Sequence, residues 1–170
     1  MATRDEMAPA DDAVPWRLSF RVHHSSADLS TLAARIGDAF GMAAQWLWRA
    51  GEPNPYAKPA GQVRSSSYCL VEWLDTGDTV EAGDTVEAGG TVEAALGDAL
   101  AALVPLRQEL ARIVASGGRL DFFIGLFVDS MMGVTLPPAL MARLAEMRIE
   151  LQFDIYGGPR RAPMATTTGT

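Results

Sequence analysis

The sequence predicts an α+β fold, a two-layer sandwich in which a mixed β-sheet of about four to five strands has helices on one face. Three observations predict it. Segments in which every second residue is apolar alternate along the chain with segments of helical period. The outermost strand segments each have one polar face, whereas the inner ones are apolar on both faces. The 170 residues, 48% of them hydrophobic, suffice for one domain with a real core.

The first two predicted elements are a strand and a helix. In residues 16–22, Trp, Leu, Phe and Val alternate with polar residues, which predicts a half-buried strand. A helix should follow, because Ser26 or Asp28 can cap its N-terminus and apolar residues then recur at helical spacing. Gly37 is expected to end this helix, since glycine favours the left-handed conformation found there.

The next segment, residues 41–61, contains several prolines and no clear period, which predicts a loop. Its two tryptophans are unsuited to full exposure, so we expect the loop to fold back over the core. Residues 63–74 are apolar on both faces and predict a central strand.

A repeat follows the second strand. Residues 77–94 consist of three hexapeptides, GDTVEA, GDTVEA and GGTVEA. Hexapeptide repeats can build a parallel β-helix, but each copy offers one inward Val, and three short coils cannot stabilise themselves. The pattern therefore favours an acidic, flexible loop insertion over residues 75–94.

The remaining pattern predicts three helices and two or three strands. Pro105 lacks an amide donor and separates two of the helices, and the Pro137-Pro138 pair opens the third. The predicted elements are helices 92–103 and 105–116, strand 120–128, a short strand 134–136, a helix from 137 and strand 149–156.

The domain prediction is a single α+β domain at residues 15–156, interrupted by the insertion at 75–94. Residues 1–14 and 157–170 lack periodic apolar groups, so we expect a disordered N-terminal arm and C-terminal tail. The arm has no apolar stretch of signal-peptide length. The longest apolar runs, such as residues 122–128, are too short to span a membrane. We therefore expect a cytoplasmic protein without membrane contact.

The formal net charge is −7, and the acidic excess is concentrated in the arm and the repeat. The folded part has no cluster of Lys or Arg, which argues against nucleic acid as a partner. Cys69 is the only cysteine, so an intramolecular disulfide and a Cys-rich zinc site are excluded. The common nucleotide-loop, hydrolase and zinc-protease motifs are absent. We predict no catalytic residue, no metal site and no cofactor.

Four aromatic residues are candidates for ligand or partner binding: Trp46, Trp48, Tyr56 and Trp73. Aromatic side chains concentrate in pockets and at interfaces, so together they would line a groove. The alternative is that they pack the loop onto the core.

A second candidate site lies on the polar face of the predicted sheet. Asp154 and Tyr156 share one face of the last strand, and Arg17 and Arg21 share one face of the first. If these strands are neighbours, the arginines would pair with Glu150 and Asp154 across the sheet. The alternative is that these groups only satisfy one another's hydrogen bonds.

His23 and His24 form the only histidine pair, and Asp28 follows shortly after. One histidine with Asp28 would make a general base and its orienting carboxylate. The two histidines point to opposite faces of a strand, so they are not expected to share a metal ion. The alternative is a solvated strand end followed by a helix cap.

Several short segments occur in the order found in a known family: an aromatic strand before Asp28-Leu29, Gly51-Glu52-Pro53 after Trp48, Gly118 to Phe122, and Phe153-Asp154-Ile155-Tyr156. With them the chain resembles the bacterial domain of unknown function 4279 family over roughly residues 16–157, apart from the repeat. The resemblance implies a small α+β domain without an established activity, so it supplies no catalytic residue.

The predicted function is that of a non-enzymatic binding or interaction domain in a bacterial cytoplasm, of regulatory or immunity type. The alternative is a small-molecule sensor or enzyme that uses the Trp-rich loop with His23, His24 and Asp28. Self-association through an edge strand is a further alternative for the partner.

Overall fold

The computed structural model describes residues 16–73, 91–128 and 133–157. The predicted arm, most of the repeat insertion and nearly all of the predicted tail lie outside these residues. The described elements, in chain order, are β1 (Trp16–His24), α1 (Ser30–Phe40), β2 (Trp46–Trp48), β3 (Ser67–Glu72), α2 (Val92–Leu103), a 3₁₀ turn (Val104–Leu106), α3 (Arg107–Ala115), β4 (Arg119–Val128), α4 (Pro138–Met147) and β5 (Ile149–Gly157).

The strands form one five-stranded mixed sheet in the order β2-β3-β1-β4-β5. Three of its pairings are antiparallel, and β4 with β5 is parallel. Helices α1, α2 and α4 contact β3, β1 and β5 and share one core with the sheet. The predicted α+β fold with helices on one face is therefore confirmed. None of the described helices is long and apolar enough to cross a membrane.

The core lies between β1, β4 and the helix layer. Phe20 of β1 is completely buried and its ring lies 5.1 Å from that of Phe122 and 6.3 Å from that of Phe40. Leu96 and Leu100 of α2 are also completely buried. Burying each of these side chains contributes about 1.5–3 kcal/mol, so the alternate residues of β1 and β4 hold the helices on this side.

Helix α1 extends beyond its predicted end at Gly37 and continues to Phe40. The left-handed residue that ends it is Gly41, with φ at 71°. Gly37 serves a different purpose, because a Cβ atom there would lie 2.5 Å from the backbone oxygen of Met42. The chain after α1 turns back so closely that only glycine fits.

Other predicted boundaries were also wrong. Residues 46–48, predicted as loop, form the edge strand β2, and residues 134–136, predicted as a short strand, have no regular structure. The last hexapeptide is only partly loop, because Thr91 caps α2 by accepting the amide of Ala94, and Val92 is buried. Gly157, predicted to begin the tail, is the last residue of β5.

Gly37→Ala is expected to lower the free energy of unfolding by about 1–3 kcal/mol, because the added methyl group must displace the Met42 carbonyl. Gly97 lies inside α2 with open space around its Cβ direction, so Gly97→Ala is the matched control. It should raise stability by up to about 1 kcal/mol through helix propensity. Urea denaturation measures both. An equal change in the free energy of unfolding in the two variants would contradict the close contact at Gly37.

Candidate functional site

The side of the sheet that faces away from the helices is here called the open face. Strand register decides which residues share it, because positions that alternate with the core residues point to this side. Its side chains, from β2 to β5, include Trp46, Trp48, Tyr68, Leu70, Arg17, Arg21, His23, Asp121, Phe123, Phe127, Gln152, Asp154 and Tyr156. Polar and aromatic groups from all five strands therefore share one side of the sheet.

One end of the open face contains a cleft of about 300 Å³, the aromatic cleft, lined by Trp46, Trp48, Tyr56, Arg64, Tyr68 and Leu70. The rings of Trp48 and Tyr68 are stacked with centroids 4.4 Å apart, and Trp46 meets Trp48 edge-on at 6.5 Å. The Arg64 guanidinium lies 3.9 Å above the Trp48 ring centre. The cleft is therefore an aromatic floor with one cationic wall.

The cleft is assembled by the pairing of β2 with β3. Trp46 and Trp48 are two residues apart, so both point to the open face, where they lie opposite Leu70 and Tyr68. The chain between the strands doubles back on itself, because the amides of Gly51 and Arg64 bind carbonyls across this excursion. Its return brings the Arg64 side chain beside the tryptophans.

A charged cluster adjoins the aromatic cleft and is centred on Asp121, which is only 2% exposed. Arg21 of the neighbouring strand donates to Asp121 Oδ1 at 2.5 Å and also to the side-chain oxygen of Gln152. His23 Nε2 lies 3.3 Å from Asp121 Oδ2, within ion-pair distance but without hydrogen-bond alignment. The His23 ring in turn contacts Tyr68 at 4.8 Å, which joins the cluster to the cleft.

Burial and pairing act in opposite directions on Asp121. Burial raises the pKa of its carboxyl. The interactions with His23 and with Arg21 lower this pKa by a larger amount in total, so it lies below the ordinary value. Burial has the dominant effect at Tyr68 and raises the pKa of its phenol. At neutral pH the open face thus presents a fixed carboxylate beside a protonated phenol.

The predicted base formed by a histidine and Asp28 does not exist in the structure. His24 is buried, and its Nδ1 accepts the amides of Ser26 and Ala27 while Nε2 lies 3.1 Å from Ser116. Nδ1 must be unprotonated to accept two amides, so His24 is a structural residue that holds the β1–α1 turn.

Asp28 also has a local role in place of the predicted catalytic one. Its Oδ1 accepts hydrogen bonds from the amide and hydroxyl of Ser30, and Arg49 lies 3.3 Å from Oδ2. The Ser30 hydrogen bonds lower the pKa of Asp28. Asp28 therefore stabilises the start of α1 rather than orienting a histidine.

Three of the four predicted aromatic residues come together, but Trp73 does not join them. It lies on the helix side of the sheet, where its ring meets Phe40 edge-on at 4.9 Å. Tyr68 and Arg64 take part in the cleft instead, although neither was predicted. The alternation of Tyr68 with buried neighbours in β3 was the available signal, but its place beside Trp48 depends on register.

The predicted pairing of Arg17 and Arg21 with Glu150 and Asp154 is wrong, because β4 lies between β1 and β5. Arg21 binds Asp121 of β4 instead. Asp154 accepts a hydrogen bond from the Tyr156 hydroxyl at 3.3 Å.

The C-terminal part of the open face is separate from the charged cluster. Tyr156 stacks on Phe127 with centroids 5.0 Å apart. Phe127 is six positions beyond Asp121 along β4, which corresponds to about 20 Å. Arg17, Asp154 and Tyr156 therefore lie at the far end of the open face from the aromatic cleft.

A family model, DUF4279, described as a domain of unknown function, matches residues 81–158. No curated protein and no solved structure matches the chain. Within the part that the structure describes, no group of three or more His, Cys, Asp or Glu side chains is arranged to hold a metal ion.

Asp121→Asn is expected to lower the free energy of unfolding at pH 7 by about 3 kcal/mol, because Arg21 loses its buried counter-charge. The lowered pKa means that ionised Asp121 stabilises the fold above its unfolded pKa near 3.8 and ceases to do so as pH falls through the folded pKa. The difference in free energy of unfolding between wild type and Asp121→Asn should therefore become smaller below pH 4. Urea denaturation at a series of pH values measures it.

The control is Asp98→Asn, which changes an exposed carboxylate on α2 and should alter stability by less than about 0.5 kcal/mol. A difference in stability between wild type and Asp121→Asn that is as large at pH 3 as at pH 7 would contradict the role given to the Asp121 charge.

Proposed function

We propose that this chain, whose residues 81–158 match the DUF4279 family model, is a non-enzymatic, cytoplasmic binding protein that holds a partner protein on its open face. Its role would be regulatory or of immunity type, in which binding itself blocks or adjusts the partner. The observation that carries the proposal is the aromatic cleft beside the charged cluster, with Trp46 48% and Tyr56 72% exposed.

The composition of this surface supports a protein partner. Trp, Tyr and Arg are the residue types that dominate binding energy at protein interfaces, and the cleft is built from these types with Leu70. Exposed apolar side chains that form one contiguous patch mark interaction sites, whereas singly scattered ones do not. Strands β2 and β3 hold Trp46, Trp48 and Tyr68 in place, so these three side chains gain little order on binding.

The chemistry of the remaining groups supports a role without catalysis. Burial raises the pKa of the Cys69 thiol to about 11, so it is protonated and inert at neutral pH. Ser67 is completely buried and accepts the Ala50 amide. Asp121 is held ionised by Arg21, which makes it a poor proton donor or acceptor.

One observation favours a second candidate, a small-molecule sensor or enzyme. His23 lies between Tyr68 and Asp121, and its 3.3 Å separation from Asp121 Oδ2 resembles a base beside its orienting carboxylate. The His23 side chain is 31% exposed, and its ring contacts Tyr68 of the cleft lining.

A thermal-shift screen with a library of metabolites tests this second candidate. Under it, a compound raises the melting temperature of the wild type, since binding to the folded state stabilises it, and the shift is lost in His23→Gln. Absence of any shift, or shifts that His23→Gln retains, would count against a site built on His23.

The proposed function predicts that Trp46→Ser/Tyr56→Ser abolishes capture of a partner from source-cell lysate without loss of fold. Both side chains are exposed, so circular dichroism and melting should be unchanged. Met141→Ser is the matched control, because Met141 is 54% exposed on α4, in the helix layer. A protein retained by wild type and Met141→Ser but lost from the double variant supports the proposal.

Two outcomes of this capture experiment would overturn the proposed function. One is a partner that the Trp46→Ser/Tyr56→Ser variant still retains, since binding would then not use the cleft. The other is recovery of no partner by the folded wild-type chain.

A further inference from the structure

We infer that the aromatic cleft recognises an acidic peptide segment of the partner, in which a large apolar side chain fills the cleft and a neighbouring carboxylate binds Arg64. This inference rests on the proposed function and names the chemistry of its partner.

The Arg64 guanidinium is the charged group in the lining of the aromatic cleft. Five of the ten arginines within the described ranges lie within ion-pair distance of a carboxylate: Arg21, Arg35, Arg49, Arg107 and Arg119. Of the other five, Arg17, Arg112, Arg143 and Arg148 are exposed to solvent, whereas Arg64 is not. Arg64 is half-buried in the cleft wall, stacks on Trp48, and has no carboxylate partner among the described residues. Stacking uses the flat face of the guanidinium and leaves its N–H edges available to an acceptor.

The other polar atoms of the aromatic cleft agree with an anionic ligand. The indole N–H groups of Trp46 and Trp48 are donors without a protein acceptor in the described part of the chain, and the Tyr68 phenol stays protonated at neutral pH. The cleft lining contains no carboxylate. Asp121, the nearest buried acid in the cluster, is neutralised by Arg21. The cleft is therefore rich in donors and positive charge, and its complement is a carboxylate.

The size of the cleft favours a side chain over a whole cofactor. Its volume of about 300 Å³ is at the lower limit of small-molecule sites, which suits one aromatic or large aliphatic anchor. Arg64 stands at the wall, where the residue next to such an anchor would lie. A carboxylate there can bind a guanidinium through two parallel hydrogen bonds, which gives orientation as well as affinity.

The inference is tested by panning a displayed library of random 12-residue peptides on the full chain, followed by fluorescence titration of one selected peptide made synthetically. Trp46 and Trp48 report binding directly. We expect enrichment of Asp or Glu beside an aromatic or large aliphatic residue. The selected peptide should bind Arg64→Glu at least tenfold more weakly, and a version with Lys in place of its acidic residues should prefer Arg64→Glu to wild type.

The control for charge is Arg112→Glu, which makes the same change at an exposed position of α3 and should leave affinity within twofold of wild type. Selection of basic or neutral peptides, equal affinity of wild type and Arg64→Glu, or failure to select any binder would overturn the inference. So would dimerisation in sedimentation velocity that Trp46→Ser abolishes, because a second copy would then cover the cleft.

The two proposals fail in different ways. A partner protein that is lost from Trp46→Ser/Tyr56→Ser but retained by Arg64→Glu would overturn only the acidic-peptide inference. A partner that both variants retain would overturn the proposed function as well.

Discussion

Strand β1 is paired on both sides, with β3 and with β4, and this double pairing determines the geometry of the whole molecule. Its alternate residues Leu18, Phe20 and Val22 are buried under the helices. Because side chains alternate along a strand, the same register directs Arg21 and His23 to the open face. A shift of one residue would exchange core and surface, so core packing also holds the candidate site in place.

The charged cluster on the open face depends on the same strand register. A buried carboxylate such as Asp121 is unfavourable unless it is paired, and the β1–β4 register places Arg21 directly opposite. Arg21 also lies over the Phe123 ring at 4.4 Å and binds Gln152 of β5. One side chain thus links three strands on the helix-free side and makes the open face a firm support for the adjoining aromatic cleft.

The aromatic cleft is built at the edge of the same sheet from elements with few interactions of their own. Strand β2 has three residues, and Arg64 reaches the cleft from an irregular excursion. Its rings stay in place because they stack: Trp48 stacks on Tyr68, and the Arg64 guanidinium stacks on Trp48. Aromatic groups fixed in this way differ from core aromatics such as Trp73, which occupy the other side of the sheet against Phe40.

The sequence by itself determined the fold class and nearly every element, because the periods of β1, α2, β4, α4 and β5 record which residues face an apolar core. It also placed Trp46, Trp48 and Tyr56 in one group, since they are close in the chain. Only the tertiary structure decided that β4 separates β1 from β5, that Asp121 faces Arg21 and His23, and that Arg64 and Tyr68 complete the cleft. Strand order and register bring together residues far apart in sequence, and local periodicity contains no information about either. The same reason explains Gly37, whose role depends on the return of the chain at Met42 and not on its position in the helix.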